Sequence, residues 1–181
     1  MQPSELMRLK PELELVASVS LRLDQVVSVG EAPDGVRMQF MVHGTVDGSK
    51  LKGEFPTSTA AYLRIDRDGV GTINVRAPLK LHDGAIVELE AAGRYDFGED
   101  GYRRAVVGDL PDSDLGWCPR LLTSDVRYLW LNRTQFLGVG KLRPRERRVD
   151  YELFAMSPSA DSARLRSSAA PVVSARSTAL R

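Results

Sequence analysis

The amino-acid sequence predicts an all-β fold, a single antiparallel barrel of about eight to ten strands with one short helix and a disordered C-terminal tail. Turn residues recur roughly every eight to twelve positions, and the segments between them alternate apolar and polar residues. Only residues 99–107 show the three-and-four spacing of a helix. Several predicted strands carry apolar residues on both faces, which favours a filled or ligand-lined interior and an outer face covered by a partner.

The first half of the chain is predicted to form strands at residues 13–21, 24–31, 36–46, 51–55 and 62–65. In the first of them, apolar residues recur at every second position from Leu13 to Leu21, the period of a half-buried strand. Residues 32–35, Ala-Pro-Asp-Gly, are predicted to form a turn. Residues 57–61 are small, and we expect them to form a loop.

The second half contains the clearest hairpin, in which the turn at residues 82–84 joins strands at residues 70–81 and 85–94. The helix at residues 99–107, with Asp100 as its candidate cap, is expected to close one end of the barrel as a lid or plug. Residues 110–119 are predicted to be irregular. The remaining strands are predicted at residues 120–123, 128–140 and 149–155.

The composition of the chain changes near both ends. Residues 1–10 are predicted to be a loose N-terminal leader, and residues 11–156 the barrel domain. Residues 157–181 are mostly Ser, Ala, Arg and Pro and contain no aromatic residue. Such a segment cannot bury enough apolar surface to offset its ordering entropy, so it is predicted to be disordered.

Charge and cysteine content restrict the classes of function. Lys and Arg number 25 against 24 Asp and Glu, which gives no electrostatic footprint for nucleic acid or an anionic membrane. The apolar runs are too short to span a membrane, and the first residues lack a signal-peptide pattern, so a cytoplasmic location is expected. A single cysteine and two separated histidines provide no disulfide and no metal-site spacing. A protein without metal or cofactor is therefore expected.

Arg76 is the first candidate for a functional side chain. A guanidinium keeps its proton, and on a mid-sheet strand it can hold a carboxylate or a developing enolate. The alternative is an outward-facing Arg76 that pairs with Glu88 or Glu90 across the hairpin.

Glu54, Tyr62 and His43 complete the predicted catalytic group. Glu54 lies at a strand end, where a partly desolvated carboxylate can act as a general base; a solvated or ion-paired Glu is the alternative. Tyr62 offers a hydroxyl across the same loop as a proton or hydrogen-bond donor, or else packs in the core. His43 either points into the cavity as a base or has a structural role near its strand end.

Residues 128–139, Y-L-W-L-N-R-T-Q-F-L-G-V, place large aromatic surface beside polar side chains of fixed geometry. Trp130 and Phe136 are expected to line either the core or a ligand pocket. Asn132 favours the pocket, because a buried amide needs hydrogen-bond partners. These three residues are therefore the predicted substrate-binding group.

Three segments carry a family likeness: D-G-A-I-V, A-G-R-Y-D-F-G-E-D-G-Y-R-R-A-V-V-G-D-L-P, and Y-L-W-L-N-R-T-Q-F-L-G-V-G. Together they resemble the family known as domain of unknown function 3237, over roughly residues 13–156. The resemblance implies a small barrel of the allene oxide cyclase type with a cavity. It also implies, more weakly, ring closure or proton movement on small organic molecules.

The sequence departs from the family pattern at two acidic positions. The Ala-Asp-aromatic segment of the family is here Ala60-Ala61-Tyr62, and its Asp-x-Arg segment is Asn74-Val75-Arg76. Glu54 and Arg76 are retained. Any reaction that used the two missing carboxylates in relatives is in doubt here.

The resulting hypothesis is a cofactor-independent enzyme that holds a small apolar oxygenated molecule in the barrel and promotes cyclisation, isomerisation or elimination by proton transfer. Arg76 and Asn132 would stabilise negative charge, with Glu54 or His43 as the base and Tyr62 as the acid. One alternative is a non-catalytic barrel that binds a small ligand. The other is a barrel with a filled core that serves as a dimeric structural module. A homodimer is expected.

Overall fold

The computed structural model describes residues 11–158. Its strands are β1 (Pro11–Ala32), β2 (Gly35–Asp47), β3 (Gly53–Ile65), β4 (Val70–Leu81), β5 (Ile86–Asp96), β6 (Ser113–Trp117), β7 (Arg120–Leu122), β8 (Gln135–Arg143) and β9 (Arg148–Pro158). Helix α1 spans Gly101–Val106, and two 3-10 turns span Val126–Tyr128 and Leu131–Arg133. The predicted leader and residues 159–181 of the predicted tail lie outside the described residues, while residues 157 and 158 end β9.

The strands form a ring. Their order is β4-β3-β2-β1-β9-β8-β6-β5-β7, and an additional pairing of β4 with β5 closes the sheet on itself. Each pair with a defined register is antiparallel. The predicted antiparallel, barrel-like all-β fold with one short helix is therefore confirmed.

β6 and β7 follow one another along β5 and are separated by Cys118 and Pro119. The prediction that residues 110–119 are irregular is wrong for β6. Leu115 and Trp117 are buried there and alternate with exposed neighbours, as expected for a strand with one face on the core.

The prediction of one strand over residues 128–140 is wrong for its first half. Asp125 caps the first 3-10 turn, because its carboxylate accepts a hydrogen bond from the backbone N–H of Arg127. Leu131 is the buried residue of the second turn, and β8 begins only at Gln135. The apolar residues between 126 and 133 therefore belong to two compact turns that pack one side on the core, although their pattern is also that of a strand with apolar residues on both faces.

Two other predicted boundaries also change. Residues 24–31 are not a separate strand, since β1 continues through an irregularity in its register with β2. Residues 57–61 are not a loop, because residues 59–61 stay paired with β2 while β3 separates from β4 between Glu54 and Ala61.

The predicted helix is confirmed as α1, which packs against β2 and β3 and buries Ala105. Asp100 occupies the N-cap position, but its carboxylate pairs with Arg103 and makes no capping hydrogen bond. The Tyr102 hydroxyl donates to Glu31 at 2.5 Å and so ties α1 to the end of β1. Within residues 11–158, the helices are too short or too polar to cross a membrane.

The interior of the ring is filled with apolar side chains. Its internal cavity has a volume of only about 30 Å³, roughly the space of one water molecule. The lining residues are Leu21, Leu23, Phe40, Val42, Ala61, Ile73, Val75, Tyr95, Trp117, Leu142 and Val149. This interior lacks the space for an organic substrate that the family resemblance implies.

Trp117 packs at the centre of this interior. Its ring meets that of Tyr151 edge to face, with centroids 4.7 Å apart. Burial raises the pKa of Tyr151 and of Tyr95 well above the usual range, so both phenols stay neutral. On β8, Gly138 leaves room for the indole, because a Cβ there would overlap its Nε1 and Cδ1 atoms.

Replacing Gly138 by Ala is expected to lower the free energy of unfolding by about 1–3 kcal/mol, because the indole of Trp117 has to move within a filled core. Urea unfolding measures this change. Gly116→Ala is the matched control, since a Cβ at Gly116 in β6 meets no atom within 4 Å. Equal stability of the two variants would contradict the packing described here.

Candidate functional site

The outer surface of β3, β4 and β5 carries a group of polar side chains in register. Tyr62 lies opposite Asn74 in the β3–β4 pair, and Arg76 lies opposite Glu90 in the β4–β5 pair. These side chains point outward because successive residues of a strand face opposite sides. They surround a hollow of about 400 Å³, here called the Tyr62 hollow. Its lining residues are Tyr62, Asn74, Val75, Arg76, Glu90, Ala91, Ala92, Cys118 and Arg120.

Ion pairs dominate one side of the Tyr62 hollow. Arg76 pairs with Glu90, and its Nε atom lies 3.3 Å from Oε1 of Glu88. Nη1 of Arg120 lies 3.9 Å from Oε2 of Glu90. The side chain of Arg76 is 71% exposed, whereas that of Glu90 is 27% exposed. The outward-facing, cross-hairpin pairing of Arg76 is therefore what the structure shows.

His43 and Glu54 lie elsewhere on the outer surface, and neither lines the Tyr62 hollow. Nδ1 of His43 is 2.6 Å from Oδ2 of Asp24, and the Ser58 hydroxyl donates to the same oxygen at 2.9 Å. The hydrogen bond from Ser58, followed by that from His43, holds the pKa of the Asp24 carboxyl below its usual range. Glu54 is exposed on β3. Of the four predicted catalytic residues, the structure brings together only Tyr62 and Arg76.

The predicted substrate-binding residues stabilise the fold around the 3-10 turns. Phe136 is buried in the core, and Trp130 packs beside it with ring centroids 6.1 Å apart. Oδ1 of Asn132 accepts from the backbone N–H of Thr123 at 2.8 Å, and its Nδ2 donates to the Thr123 carbonyl at 2.8 Å. None of these three side chains lines the Tyr62 hollow.

A cluster of charged side chains holds the same turns to the β4–β5 hairpin. The Tyr128 hydroxyl donates to Asp83 at 2.7 Å, and Nη1 of Arg127 lies 2.9 Å from the same carboxylate. Arg127 also donates to both carboxylate oxygens of Asp125, at 2.9 and 2.7 Å. These hydrogen bonds lower the pKa of the Asp125 carboxyl to about 2.

The two positions at which the family pattern expects a carboxylate lie on opposite sides of the sheet. Ala61 is buried and lines the small internal cavity, whereas Asn74 lies in the Tyr62 hollow. Ala61 leaves the interior free of a buried carboxylate, which would be costly without a partner. The polar chemistry of the described chain is therefore concentrated on its outer surface.

Seven of the nine lining residues of the Tyr62 hollow were not predicted as site residues, and three of these seven have ionisable side chains: Glu90, Cys118 and Arg120. Glu90 could have been found from the hairpin register, which places it beside Arg76. Cys118 and Arg120 lie at the break between β6 and β7, which Pro119 signals locally, but their position at the hollow depends on how both strands pair with β5. Among residues 11–158, His, Cys, Asp and Glu side chains form no cluster of three or more that could hold a metal ion.

A family model described as "Protein of unknown function (DUF3237)" matches residues 11–156. Solved structures resemble the fold at low identity. A conserved protein of unknown function from Rhodopseudomonas palustris has a TM-score of 0.72 at 23% identity, covering 82% of this chain and 99% of that one. A beta-barrel like protein from Acinetobacter baumannii AYE has a TM-score of 0.67 at 24% identity, covering 82% and 97%.

A more distant structure is described as an enzyme from Penicillium herquei. Its TM-score is 0.58 at 16% identity, covering 81% of this chain and 95% of that one. No curated protein matches the sequence. At these identities the likeness to solved structures concerns the fold alone.

Asn132→Ala is expected to lower the free energy of unfolding by roughly 1–2 kcal/mol, because two side-chain hydrogen bonds to Thr123 are lost. Urea unfolding measures the change. Asn74→Ala is the control, since Asn74 is exposed on β4. If both variants unfold at the wild-type midpoint, Asn132 does not hold the turns in place.

The charge cluster predicts a pH dependence of stability. The folded pKa of Asp125, about 2, lies below the ordinary value near 3.9, so its contribution is complete above about pH 4 and is lost as the pH falls toward 2. Wild type is therefore expected to exceed Arg127→Gln in thermal stability at pH 6, with the difference shrinking between pH 4 and pH 2. A carboxyl titration of wild-type Asp125 by NMR with a midpoint near 4 would contradict this.

Proposed function

The chain belongs to the family described as protein of unknown function (DUF3237), and from this premise we propose that it is a cofactor-independent enzyme that binds a small oxygenated molecule in the Tyr62 hollow. The reaction class is proton transfer that leads to cyclisation, isomerisation or elimination. This proposal keeps the reaction class predicted from the sequence and moves the site from the interior to the outer surface. The internal cavity of about 30 Å³ is too small for such a molecule.

One observation carries the proposal: four strands deliver complementary chemical groups to one hollow. β3 provides the Tyr62 phenol, β4 the Arg76 guanidinium, β5 the Glu90 carboxylate and β7 the Arg120 guanidinium. The volume of about 400 Å³ lies within the usual range for small-molecule sites. A hydrogen-bond donor, a carboxylate and two fixed positive charges are the groups that enolate chemistry uses.

In the proposed reaction, Glu90 accepts a proton from a carbon next to a carbonyl group of the substrate. The electron pair of the C–H bond forms a carbon–carbon double bond, the π pair of the carbonyl moves to its oxygen, and the negative charge develops there. Arg76 and Arg120 stabilise this oxygen, and Tyr62 donates a hydrogen bond to it. The enolate carbon then attacks a second carbonyl carbon to close a ring, and the π pair of that carbonyl moves to its oxygen, which takes the proton from Glu90. Alternatively, the enolate expels a leaving group from the adjacent carbon, which departs with that proton, or it is reprotonated by Glu90 at carbon.

Arg76 has to exchange its pairing with Glu90 for the substrate oxygen. Its high exposure makes this exchange feasible, and Glu88 remains as its second partner. We propose Glu90 as the base in preference to Glu54 or His43, since neither of these lines the hollow. The similarity to an enzyme from Penicillium herquei supports catalysis by a member of this fold.

The second candidate function is a non-catalytic barrel that binds a ligand or serves as a structural module. The filled interior and the replacement of a family acidic residue by Asn74 at the hollow favour it. The two candidates differ in one measurable step. An enzyme exchanges a substrate C–H proton with solvent, whereas a binding module leaves it in place.

Deuterium exchange tests the proposal before the natural substrate is known. Small ketones and keto acids are incubated with the protein in deuterated water, and deuterium incorporation is followed by NMR. Wild type is expected to accelerate exchange for compounds that bind. Glu90→Gln should lower the rate by about a hundredfold or more, because the base is lost. Arg76→Gln should lower it by a similar factor, because the oxyanion loses its charge partner.

Lys80→Gln is the control, since Lys80 is exposed on β4 but does not line the hollow. Its exchange rate should equal that of wild type. Binding without exchange would overturn the catalytic proposal and favour the binding module. Exchange that survives unchanged in Glu90→Gln would place the reaction at another site.

A further inference from the structure

The second half of β1 has an open backbone edge in the described chain. The Leu23 amide donates to the Arg147 carbonyl at 3.0 Å, just before β9 begins at Arg148. Beyond this point β1 continues to Ala32 and pairs with β2. From Arg148, β9 runs toward the N-terminal end of β1, as the hydrogen bond between Ser20 and Asp150 shows, so within residues 11–158 the segment 25–30 extends past the start of β9. These six residues, Q-V-V-S-V-G, are here called the open edge.

The open edge lacks two of the features that protect a strand edge, charged side chains and proline. Between Gln25 and Gly30 it contains no charged residue and no proline. Its valines are exposed, at 48% for Val26, 41% for Val27 and 69% for Val29. Such an edge is a ready template for an additional strand.

Two irregularities set the length of this template. The register of β1 with β2 shifts between Leu23 and Gln25 and again between Ser28 and Gly30. Residues 25–28 therefore form a regular stretch, in which they pair in turn with residues 41, 40, 39 and 38. Four regular residues can accept a short strand, and the exposed valines on both faces add apolar contact.

We propose that this open edge pairs with the same edge of a second copy, antiparallel about a two-fold axis. The whole chain has a net charge of only +1, so two copies do not repel each other strongly. Antiparallel pairing brings the Arg22 end of one copy beside the Glu31 end of the other, which places opposite charges together, and the hydrogen bond from the neutral Tyr102 hydroxyl leaves the charge of Glu31 in place. Asp24, at the same end as Arg22, is already engaged by His43 and Ser58.

The resulting dimer continues the outer sheet through β1. Val27 lies opposite Gln39, and Gln39 lies opposite Tyr62, so the added strand joins the row that leads to the Tyr62 hollow. The pairing itself does not depend on the proposed enzymatic function. The proposal is tested by measuring the oligomeric state of the wild-type chain and of variants at the open edge.

Sedimentation equilibrium of the full chain over a wide concentration range tests the proposal. The average mass is expected to rise from 20.0 kDa toward twice that value. Val27→Lys should raise the dimer dissociation constant by about tenfold or more, because two lysines meet at the shared edge. Val139→Lys is the matched control, since Val139 is 49% exposed on β8, which pairs on both sides, and it should dimerise like wild type.

Cysteine cross-linking tests the geometry without relying on a lysine variant that folds. In a Cys118→Ser background, cysteines at Val26, Val27 and Ser28 are oxidised one at a time. At least one is expected to give a disulfide-linked dimer, because a two-fold axis brings equivalent residues together. Val139→Cys should not.

Three results would overturn the proposal. A wild-type chain that stays monomeric at all concentrations leaves the edge for another protein or for a segment of this chain outside residues 11–158. A dimer that tolerates Val27→Lys as well as Val139→Lys uses a different surface. Cross-linking at Val139 as efficient as at the open edge reports random collision.

Discussion

The pairing of β1 with β9 is the constraint on which the rest of the structure depends, because it joins segments about 130 residues apart and completes the ring. Asp150 of β9 lies at this pairing, beside Ser20 of β1. Its carboxylate accepts from the Ser20 hydroxyl at 2.8 Å and from Nε of Arg148 at 2.9 Å, and Nη1 of Arg143 lies 3.0 Å away. Partial burial raises the pKa of Asp150, but the hydrogen bonds from Ser20 and Arg148 outweigh this effect and hold it below the usual range. The charged form that bridges the strands is therefore the stable one.

Closing the ring determines where polar chemistry can occur. Each strand then has one face toward a filled interior, and the alternation of side chains sends its neighbours outward. Ala61 faces the interior while Tyr62 faces out, and Arg76 alternates in the same way with buried Ala77. With about 30 Å³ of free volume inside, the interior has no room for an organic ligand.

Much of the fold could be predicted from the sequence because its signals are local. The turn at residues 82–84 and the alternation around it define the β4–β5 hairpin. The pairing of β1 with β9 could not be predicted in this way, because the two strands are about 130 residues apart in the sequence. Residues 126–133 were misread because aromatic residues at alternate positions fit both a strand and a pair of turns that pack on the core. Their hydrogen bonds to Thr123 and Asp83 become visible only in three dimensions.

Part of the candidate site could also be predicted from the sequence, because the β4–β5 hairpin has local signals. The register of one hairpin could place Arg76 beside Glu90, but the contribution of Arg120 depends on how the chain returns to β5 after the helix. The hollow is built mainly on β3, β4 and β5, which pair on both sides, whereas the open edge begins where β9 no longer pairs with β1. The β1–β9 pairing, the Tyr62 hollow and the open edge are thus separate features of one sheet. Substitutions on the outer surface of β4 and β5 are expected to have little effect on ring closure, because effects at distant sites without shared partners are nearly additive.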